Sequence, residues 1–284
     1  MHNETCNHTS VTFICPINKS PTQGKKMRVS IITVCYNRED TIRDAIESVL
    51  AQNYDDIEYI IVDGSSKDNT MNIVNEYRGR VTKIISEMDR GMYEAINKGI
   101  RMATGDVIGL VHSDDILVSP DTISHIANRM KETGADLLYA DGVYVKRDNT
   151  NKICRNWVGG EFSRNKIKWG WLPLHTTVYI RKETMMRYGL YDERFEISAD
   201  TKLLIKYLFN PDIKVTYLHE YVIKMRMGGL STTGAHMSHV WAEDVLLYKQ
   251  YGFKYPKMLK IMKICWKIPQ YISARFMSVN DIKR

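Results

Sequence analysis

The feature that most limits the possible folds is an alternation of short β-rich runs with helical segments, which begins at residue 27. Apolar and β-branched residues mark predicted strands at 29–36, 57–64, 81–87, 107–112 and 136–145. Helical patterns are predicted between them at 39–52, 67–77, 91–103 and 120–133. Because strands that alternate with helices of this length usually pair in parallel, the sequence predicts an α/β fold with a doubly wound, mainly parallel central sheet and flanking helices.

Polar side chains follow four of the predicted strands, at the point where each strand ends. Tyr36 ends the first strand, Asp63 lies near the end of the second, Asp89 follows the third, and Asp114 and Asp115 follow the fourth. Each of these taken alone is also typical of a solvated loop or a helix cap. Because ligands bind beyond the carboxyl ends of parallel strands, their coincidence at one edge of the sheet favours a binding cleft.

The adjacent carboxylates Asp114 and Asp115 repel each other and are costly to bury unless a cation accompanies them. Oxygen ligands of this kind suit Mg²⁺ or Mn²⁺, which take one or two protein carboxylates and complete their shell with water and substrate phosphates. The first strand is followed neither by a Gly-x-Gly-x-x-Gly turn nor by a Gly-x-x-x-x-Gly-Lys-Ser/Thr loop. The sequence therefore predicts a nucleotide whose diphosphate is held through Mn²⁺ or Mg²⁺.

Four stretches carry a resemblance to a known family: VSIITVCYNRE, IEYIIVDGSSKDNT, SEMDRGMYEAINKGIRMATGDVIGLVHSDD and ISADTKLLIKYL. In this order and spacing, from residue 27 to about residue 234, they resemble the inverting, family-two glycosyltransferases of the GT-A fold. The resemblance implies a nucleotide-sugar donor, a divalent metal ion, and a carboxylate base that activates the acceptor hydroxyl.

The resemblance also implies roles for single residues in the nucleotide-sugar half. Asp63 matches the carboxylate that hydrogen-bonds the nucleotide base, with Tyr36 packed near it. Asp89 matches an acidic position of the donor pocket. Asp114 and Asp115 match the family's ribose and metal motif, with Asp115 the better candidate for the metal ligand.

Asp200 matches the family's catalytic base, although its place before a helical pattern is equally typical of an N-cap. Two motifs depart from the family. Where many members read Asp-Asp-Gly-Ser, this chain reads Asp-Gly-Ser-Ser from residue 63. The acidic motif reads His-Ser-Asp-Asp from residue 112 rather than Asp-x-Asp-Asp, which leaves open how its two acids divide the ribose and metal contacts.

Aromatic and hydroxyl side chains mark the predicted acceptor half. Trp157, Trp169 and Trp171 suit stacking on sugar rings, with Trp171 the retained candidate, although buried aromatic residues more often belong to the core. His175 is typical of a structural histidine, with a contact to phosphate or acceptor as the alternative. Ser231 lies in a glycine-rich stretch at 227–234 that is either a loop over the diphosphate or a plain connection.

The chain divides into three predicted regions. Residues 1–26 form a polar leader without periodicity that we expect to be disordered. Residues 27–234 form the GT-A domain, in which 27–116 binds the nucleotide sugar and 117–234 holds the acceptor and the catalytic base. Residues 235–284 form a helical, basic segment.

The basic segment accounts for most of the net charge of +7. In a helical projection of 257–268, Lys257, Lys260, Lys263 and Lys267 share one side, while the apolar residues take the other. One interpretation is an amphipathic helix in an anionic membrane interface, and the other is a surface helix that packs its apolar side on the body.

The resemblance implies, and the charge pattern of the C-terminal segment extends, the prediction of an inverting transferase that moves a hexose or related sugar from UDP-Gal, UDP-Glc or UDP-GlcNAc to a polyprenyl-diphosphate-linked sugar in bacterial surface polysaccharide synthesis. We consider two alternatives, a sugar nucleotidyltransferase and a catalytically silent, membrane-associated binding module. The scattered cysteines and the lack of a signal-peptide core predict a cytoplasmic protein on the inner face of the membrane. No nucleic-acid partner is expected.

Overall fold

The computed structural model describes residues 26–228 and 237–282. The strands of this part are β1 Val29–Cys35, β2 Ile57–Asp63, β3 Lys83–Ser86, β4 Val107–Leu110, β5 Asp115–Leu117, β6 Leu137–Val145, β7 Ile153–Trp157, β8 Tyr179–Arg181 and β9 Val215–Arg226. The α-helices are α1 Ile42–Leu50, α2 Thr70–Glu76, α3 Met92–Met102, α4 Thr122–Thr133, α5 Arg164–Ile167, α6 Lys182–Tyr188, α7 Ala199–Phe209, α8 Met237–Gln250, α9 Pro256–Cys265 and α10 Lys267–Ala274. Short 3-10 helices cover His175–Thr177 and Val279–Ile282. Ser231 and all but the last residue of the predicted leader lie outside the described residues.

The strands of the described part form one mixed sheet in the order β3-β2-β1-β4-β8-β6-β9-β5, and β7 pairs with β6 beside this row. β3, β2, β1 and β4 are parallel neighbours, and β9 is parallel to β6. β8 is antiparallel to both β4 and β6, and β5 is antiparallel to β9. The predicted α/β fold is confirmed, and the antiparallel strands of the second half add to it.

β1 shows why both faces of the sheet carry helices. Val29, Ile31 and Cys35 belong to one hydrophobic cluster, which includes residues of α1, α2 and α4. Ile32 and Val34 belong to another, which includes residues of α3 and α7. Because successive side chains of a strand point to opposite faces, a strand buried along its whole length needs a covering layer on each side.

A glycine sets the contact between β4 and β8. A Cβ atom at Gly109 would lie 2.2 Å from Cε1 of Tyr179, so the tyrosine ring crosses β4 only because this side chain is absent. β4 leads directly to His112, and β8 follows the short helix that begins at His175. The close crossing therefore brings these two histidines towards the same edge of the sheet.

The C-terminal segment is helical, as predicted, but the expected single helix at 257–268 is divided. α9 ends at Cys265 and α10 begins at Lys267. Pro269 lies in the first turn of α10, where its missing N–H removes no helical hydrogen bond. Within residues 26–228 and 237–282, none of the helices has the length and hydrophobicity needed to cross a bilayer.

The lysine side of α9 packs on the body, whereas most of its apolar side faces outward. Lys260 and Lys263 both contact the buried carboxylate of Asp244 on α8. The outward side chains, exposed by 38–85%, are Met258, Ile261, Ile264, Trp266, Ile268, Tyr271, Ile272 and Phe276. The structure thus contradicts the interpretation of a surface helix that packs its apolar side on the body, because ion pairs with Asp244 turn the lysines inward.

Candidate active site

A cavity of about 500 Å³ lies at the carboxyl ends of β1 and β4. Three of the predicted strand-end residues, Tyr36, Asp89 and Asp114, line it together. The other polar side chains of its wall are Asn37, Arg38, His112, Ser113, His175, Glu196, Asp200 and Arg226. We call it the donor cavity, because it contains most of the residues predicted to bind the nucleotide sugar.

Asp63 lies beneath the donor cavity rather than in its wall. Its carboxylate is fully buried and accepts hydrogen bonds from Ser66 N at 3.1 Å and Ser86 Oγ at 2.6 Å. These bonds fix the loop that follows β2. In this structure Asp63 shapes the cavity through that loop, and its contact with a nucleotide base stays a prediction.

Gly64 lies where the family's Asp-Asp-Gly-Ser motif has its second acid. A Cβ atom at Gly64 would lie 2.7 Å from Oδ2 of Asp89 and 3.5 Å from Cδ2 of Tyr36. A side chain at this position would therefore require the carboxylate of Asp89 to move. Burial raises the pKa of Asp89, although the N–H of Gly91 donates to it at 3.0 Å.

The two acids of the His-Ser-Asp-Asp motif occupy different environments. Asp114 lines the donor cavity, whereas Asp115 begins β5 and is only 1% exposed. Within the described residues, Oδ2 of Asp115 has no hydrogen-bond partner. Burial and the neighbouring Asp114 raise the pKa of Asp115 well above its usual range. A cation beside Asp114 and Asp115 would therefore be stabilised, because it would offset their repulsion and bind the free oxygen.

The pair fits a hard divalent cation. The oxygen donors of Asp114 and Asp115 are of the type that Mg²⁺ and Mn²⁺ prefer. The described part of the chain contains no cluster of three or more His, Cys, Asp or Glu side chains able to hold a metal. An ion here would therefore need oxygen atoms from water and from the substrate in addition to the protein ligands.

Arg226 brings a buried positive charge to the same cavity. It is 6% exposed, and its Nη1 donates to the carbonyl oxygen of Asp114 at 3.1 Å. Its Nη2 contacts the carboxylate of Asp44 on α1. No sequence pattern indicates Arg226 as a site residue, although it directly precedes the glycine-rich stretch at 227–234.

Two histidines and Asp200 form a chain across the site. Nε2 of His112 lies 3.2 Å from Nε2 of His175, and Nδ1 of His175 lies 3.4 Å from Oδ2 of Asp200. Burial lowers the pKa of both rings, and that of His112 falls to about 3. Since a neutral ring carries one N–H, His175 is best arranged with Nδ1–H towards the carboxylate and Nε2 accepting from His112.

Asp200 lies inside the first turn of α7 and is not its N-cap. The helix begins at Ala199, and Ser198 precedes it as the N-cap. Oδ1 of Asp200 accepts from the N–H of Thr201 at 2.6 Å, while Oδ2 faces His175. The N-cap interpretation is therefore wrong, and one carboxylate oxygen remains directed at the cavity.

A carboxylate on α8 fixes the segment that carries Asp200. Glu243 accepts hydrogen bonds from the backbone N–H groups of Glu196, Ile197 and Ser198, at 2.9, 3.1 and 2.8 Å. The hydroxyl of Tyr93 also donates to the carbonyl oxygen of Ile197. These bonds join segments about 45 and 100 residues apart in sequence, so local patterns carry no signal for them.

A second cavity, of about 140 Å³, meets the donor cavity at Asp200. Tyr144, His175, Ile197 and Asp200 belong to the walls of both. The polar and aromatic side chains confined to the second are Arg155, Trp157, Trp171, Ser198, Thr201, Asp244, Lys260, Lys263, Trp266, Lys267 and Gln270. We call it the cationic cavity, because four lysine or arginine side chains line it.

The tryptophans of the predicted acceptor half have different environments. Trp171 is 5% exposed and its indole N–H donates to the carbonyl oxygen of Gly159 at 3.1 Å, so it is a core residue whose ring also forms cavity wall. Trp157 is half-buried in the same wall. Trp169 is exposed, and its carbonyl oxygen accepts from the indole N–H of Trp266.

The family described as Glycosyl transferase family 2 matches residues 30–195, which include every strand that forms the donor cavity except β9. The chain belongs to glycosyltransferase family 2. It is a nucleotide-sugar-dependent glycosyltransferase with a GT-A-like fold.

Similar proteins are consistent with this assignment. A "PGL/p-HBAD biosynthesis glycosyltransferase" of Mycobacterium bovis is 30% identical over 209 residues, which are 72% of this chain and 79% of the relative. S. aureus TarS 1-349 superposes with a TM-score of 0.62 at 20% identity, over 78% of this chain and 64% of that one. The mannosyltransferase PcManGT from Pyrobaculum calidifontis superposes with a TM-score of 0.57 at 16% identity, over 92% of this chain and 77% of that one. The likeness of this family 2 member to both structures is one of fold.

Acid should destabilise this glycosyltransferase partly through His112. Because the pKa of His112 is about 3 in the folded chain and about 6.5 unfolded, the unfolded chain alone binds this proton between these values. The free energy of unfolding therefore falls as the pH drops through 6.5. We expect His112→Asn to remove roughly 1 kcal/mol per pH unit from that fall between about pH 6 and 4.5, measured by urea unfolding. The same substitution at the exposed His125 is the control, and an unchanged slope in His112→Asn would contradict a neutral His112 ring in the folded chain.

Proposed function

We propose that the chain transfers a hexose or related sugar from a UDP-linked donor, such as UDP-Gal, UDP-Glc or UDP-GlcNAc, to a glycan acceptor with inversion at the anomeric carbon. The observation that carries the proposal is the position of Asp200, in the walls of both the donor cavity and the cationic cavity. A base between two cavities can take a proton from an acceptor in one while the sugar is presented from the other.

Solved relatives support a nucleotide-sugar donor. TarS has been solved in complex with UDP-GlcNAc and with UDP, and PcManGT in complex with GDP-Man and Mn²⁺. In this chain, Arg38 and Arg226 bring positive charge to the donor cavity, which suits a diphosphate. The family match favours sugar transfer over the nucleotidyltransferase alternative, and detected transfer would exclude the silent binding module.

The transfer is a single displacement. Asp200 accepts the proton of the acceptor hydroxyl as its oxygen forms a bond to the anomeric carbon. The bond from that carbon to the phosphate oxygen breaks on the opposite face, and its electron pair leaves with the nucleoside diphosphate. The N–H of His175 faces Oδ2 of Asp200 and orients the carboxylate. In this mechanism His175 takes no proton, and Asp200 alone removes the proton of the acceptor. Glu243 holds the turn that positions Asp200.

Asp114 and Asp115 would hold Mn²⁺ or Mg²⁺ at the donor cavity. Asp114 is in the wall of the donor cavity. Asp115 is the next residue along the chain, and its Oδ2 has no hydrogen-bond partner in the described residues. When bound, the ion neutralises charge on the diphosphate leaving group. Arg226, bonded to the backbone of Asp114, adds positive charge beside it.

The outward face of α9 and α10 supports an acceptor at a membrane surface. This face exposes Ile261, Ile264, Ile268 and Ile272, and Trp266 lies at its centre. Asp281 is the single acid after residue 244. Lys260, Lys263 and Lys267 turn inward, but Lys254, Lys257 and Arg275 of this stretch are exposed. An exposed apolar helix face with basic residues near it binds an anionic membrane interface. We propose peripheral attachment at the inner face of the cytoplasmic membrane, with a polyprenyl-diphosphate-linked sugar as acceptor in surface polysaccharide synthesis.

Replacing the base should stop the chemistry and leave donor binding intact. We expect Asp200→Asn to lower kcat by about 10²-fold or more, because the amide cannot take the proton. The dissociation constant for the UDP-sugar should change less than about threefold, measured by calorimetry. Asp212→Asn, an identical change at an exposed site, should match the parent enzyme. Equal loss of binding and of turnover would indicate a structural role for Asp200.

Removing divalent metal should abolish transfer. Dialysis against EDTA is expected to leave no measurable sugar transfer, and Mn²⁺ or Mg²⁺ should restore it. Asp114→Asn should raise the Mn²⁺ concentration for half-maximal activity by roughly tenfold, since one charged ligand is lost. Asp212→Asn serves again as the control. Full activity in the EDTA-treated enzyme would exclude a metal-assisted reaction.

Membrane binding should depend on the outward apolar face. We expect the double variant Ile261→Gln/Ile268→Gln to lose at least about tenfold in affinity for vesicles of phosphatidylcholine and phosphatidylglycerol in equal parts. The reason is that transfer of two exposed isoleucine side chains into the membrane contributes several kcal/mol to binding. Sedimentation with the vesicles measures the effect. Met186→Gln, at a similarly exposed site on α6, is the control. Equal binding of the double variant and the parent would contradict the assignment of this face.

A further inference from the structure

Arg155 is a buried cation without a carboxylate partner in the described part of the chain. It is 4% exposed and lies in the wall of the cationic cavity. Its Nε donates to Oε1 of Gln270 at 2.6 Å, while Nη2 is buried and has no hydrogen-bond partner there. The guanidinium lies over the rings of Trp157 and Tyr144, with its carbon 4.2 and 5.0 Å from their centroids. The rings fix its plane, and burial lowers its pKa.

Two further cations reach the cavity from α9. Lys260 and Lys263 share the fully buried carboxylate of Asp244, and Nζ of Lys263 also lies 3.1 Å from Oγ1 of Thr201. Burial opposes the charge of Lys263, but Asp244 and other nearby groups hold its pKa above the usual value. Asp244 is thus already paired with two lysines, and its single charge does not also balance the other cations of the cavity.

Lys267 adds a fourth cation, at the start of α10. It is half-buried in the wall of the cationic cavity, where Asp244, already paired with Lys260 and Lys263, attracts it only weakly. Burial and the neighbouring Arg155, Lys263 and Lys260 lower its pKa to about 8. The cavity therefore holds four cations against Asp244 and, at its junction with the donor cavity, Asp200. Uncompensated positive charge of this kind is costly to bury unless an anion joins it.

We propose that the cationic cavity binds a phosphate group of the acceptor, between Arg155, Lys263 and Lys267. The inference rests on the proposed sugar transfer, and it adds to it the group by which the acceptor is recognised. A volume of about 140 Å³ holds four or five groups the size of water, which matches one phosphate. Arg155 in the wall supplies a guanidinium, and the lysines supply point charges. The donor diphosphate has its own place beside Asp114.

The lining of the cavity also connects it to the outward face. Trp266 is part of the cavity wall and is 38% exposed on the face that we assign to the membrane. The same wall contains Asp200. A phosphate in the cavity would therefore share its wall with both the proposed base and a residue of the apolar face.

Binding of inorganic pyrophosphate tests the site without any turnover. The titration is done without donor, acceptor or divalent metal, and is followed by calorimetry. We expect Lys267→Gln to weaken binding by about tenfold, since one charge-assisted contact is lost. Lys249→Gln, the same change at an exposed position of α8, should bind as the parent does. If Lys267→Gln also binds as the parent does, the anion lies elsewhere, and the proposal fails.

Arg155→Lys provides a second variant that keeps the charge but loses the guanidinium fork. We expect it to weaken pyrophosphate binding by several-fold, with circular dichroism as the check of folding. Affinity equal to that of the parent would overturn the role of Arg155.

Farnesyl diphosphate then distinguishes a lipid-linked phosphate from a free one. If the site serves a lipid-linked acceptor, this probe binds more tightly than inorganic pyrophosphate, and Lys267→Gln weakens both. Binding no tighter than that of pyrophosphate would assign the cavity to free phosphate and overturn the acceptor proposal. Because no step uses transfer, loss of the proposed function would be seen separately, as absent transfer by an enzyme that still binds both probes.

Discussion

One buried carboxylate determines how the C-terminal helices are placed. Asp244 is fully buried, and leaving it unpaired would cost several kcal/mol. Lys260 and Lys263 satisfy it, and in doing so they turn the basic side of α9 towards the body. The apolar side must then face outward, against the usual arrangement of a surface helix. Both the cationic cavity and the exposed apolar face follow from this single choice of partner.

The same helix layer positions Asp200, the proposed base. α8 carries Asp244 and also Glu243, whose oxygens accept hydrogen bonds from three N–H groups just before α7. Asp200 is therefore held from the C-terminal region, while His175 faces it from the short helix before β8. Since α8 positions both the proposed base and Lys260 and Lys263, the geometry of the donor cavity and that of the cationic cavity are coupled through α8.

The sequence predicted much of the donor half, because the information there is local. Apolar runs of strand length followed at once by polar residues were enough to bring Tyr36, Asp89 and Asp114 to one cavity. The rest of the chain could not be predicted in the same way. The helical projection separated the lysines from the apolar residues correctly, but it does not show which side of the helix faces the protein. That orientation depends on Asp244, which lies 16 residues from Lys260. No sequence pattern indicates that Arg155 is buried in a cavity wall, since its hydrogen-bond partner Gln270 lies 115 residues away.

The residues that these features share have a chemical meaning. A lipid-linked sugar diphosphate consists of an apolar tail, then phosphate, then the sugar that receives the next residue. In this chain Trp266 belongs both to the apolar face and to the cationic cavity, and Asp200 belongs to both cavities. The proposed acceptor, bound by its phosphate, would have its sugar held near the proposed base without any need for the protein to contact the whole tail. Such an arrangement would recognise the charged group that all acceptors of this class share, and Tyr144, His175 and Ile197, in the walls of both cavities, would contact the sugar.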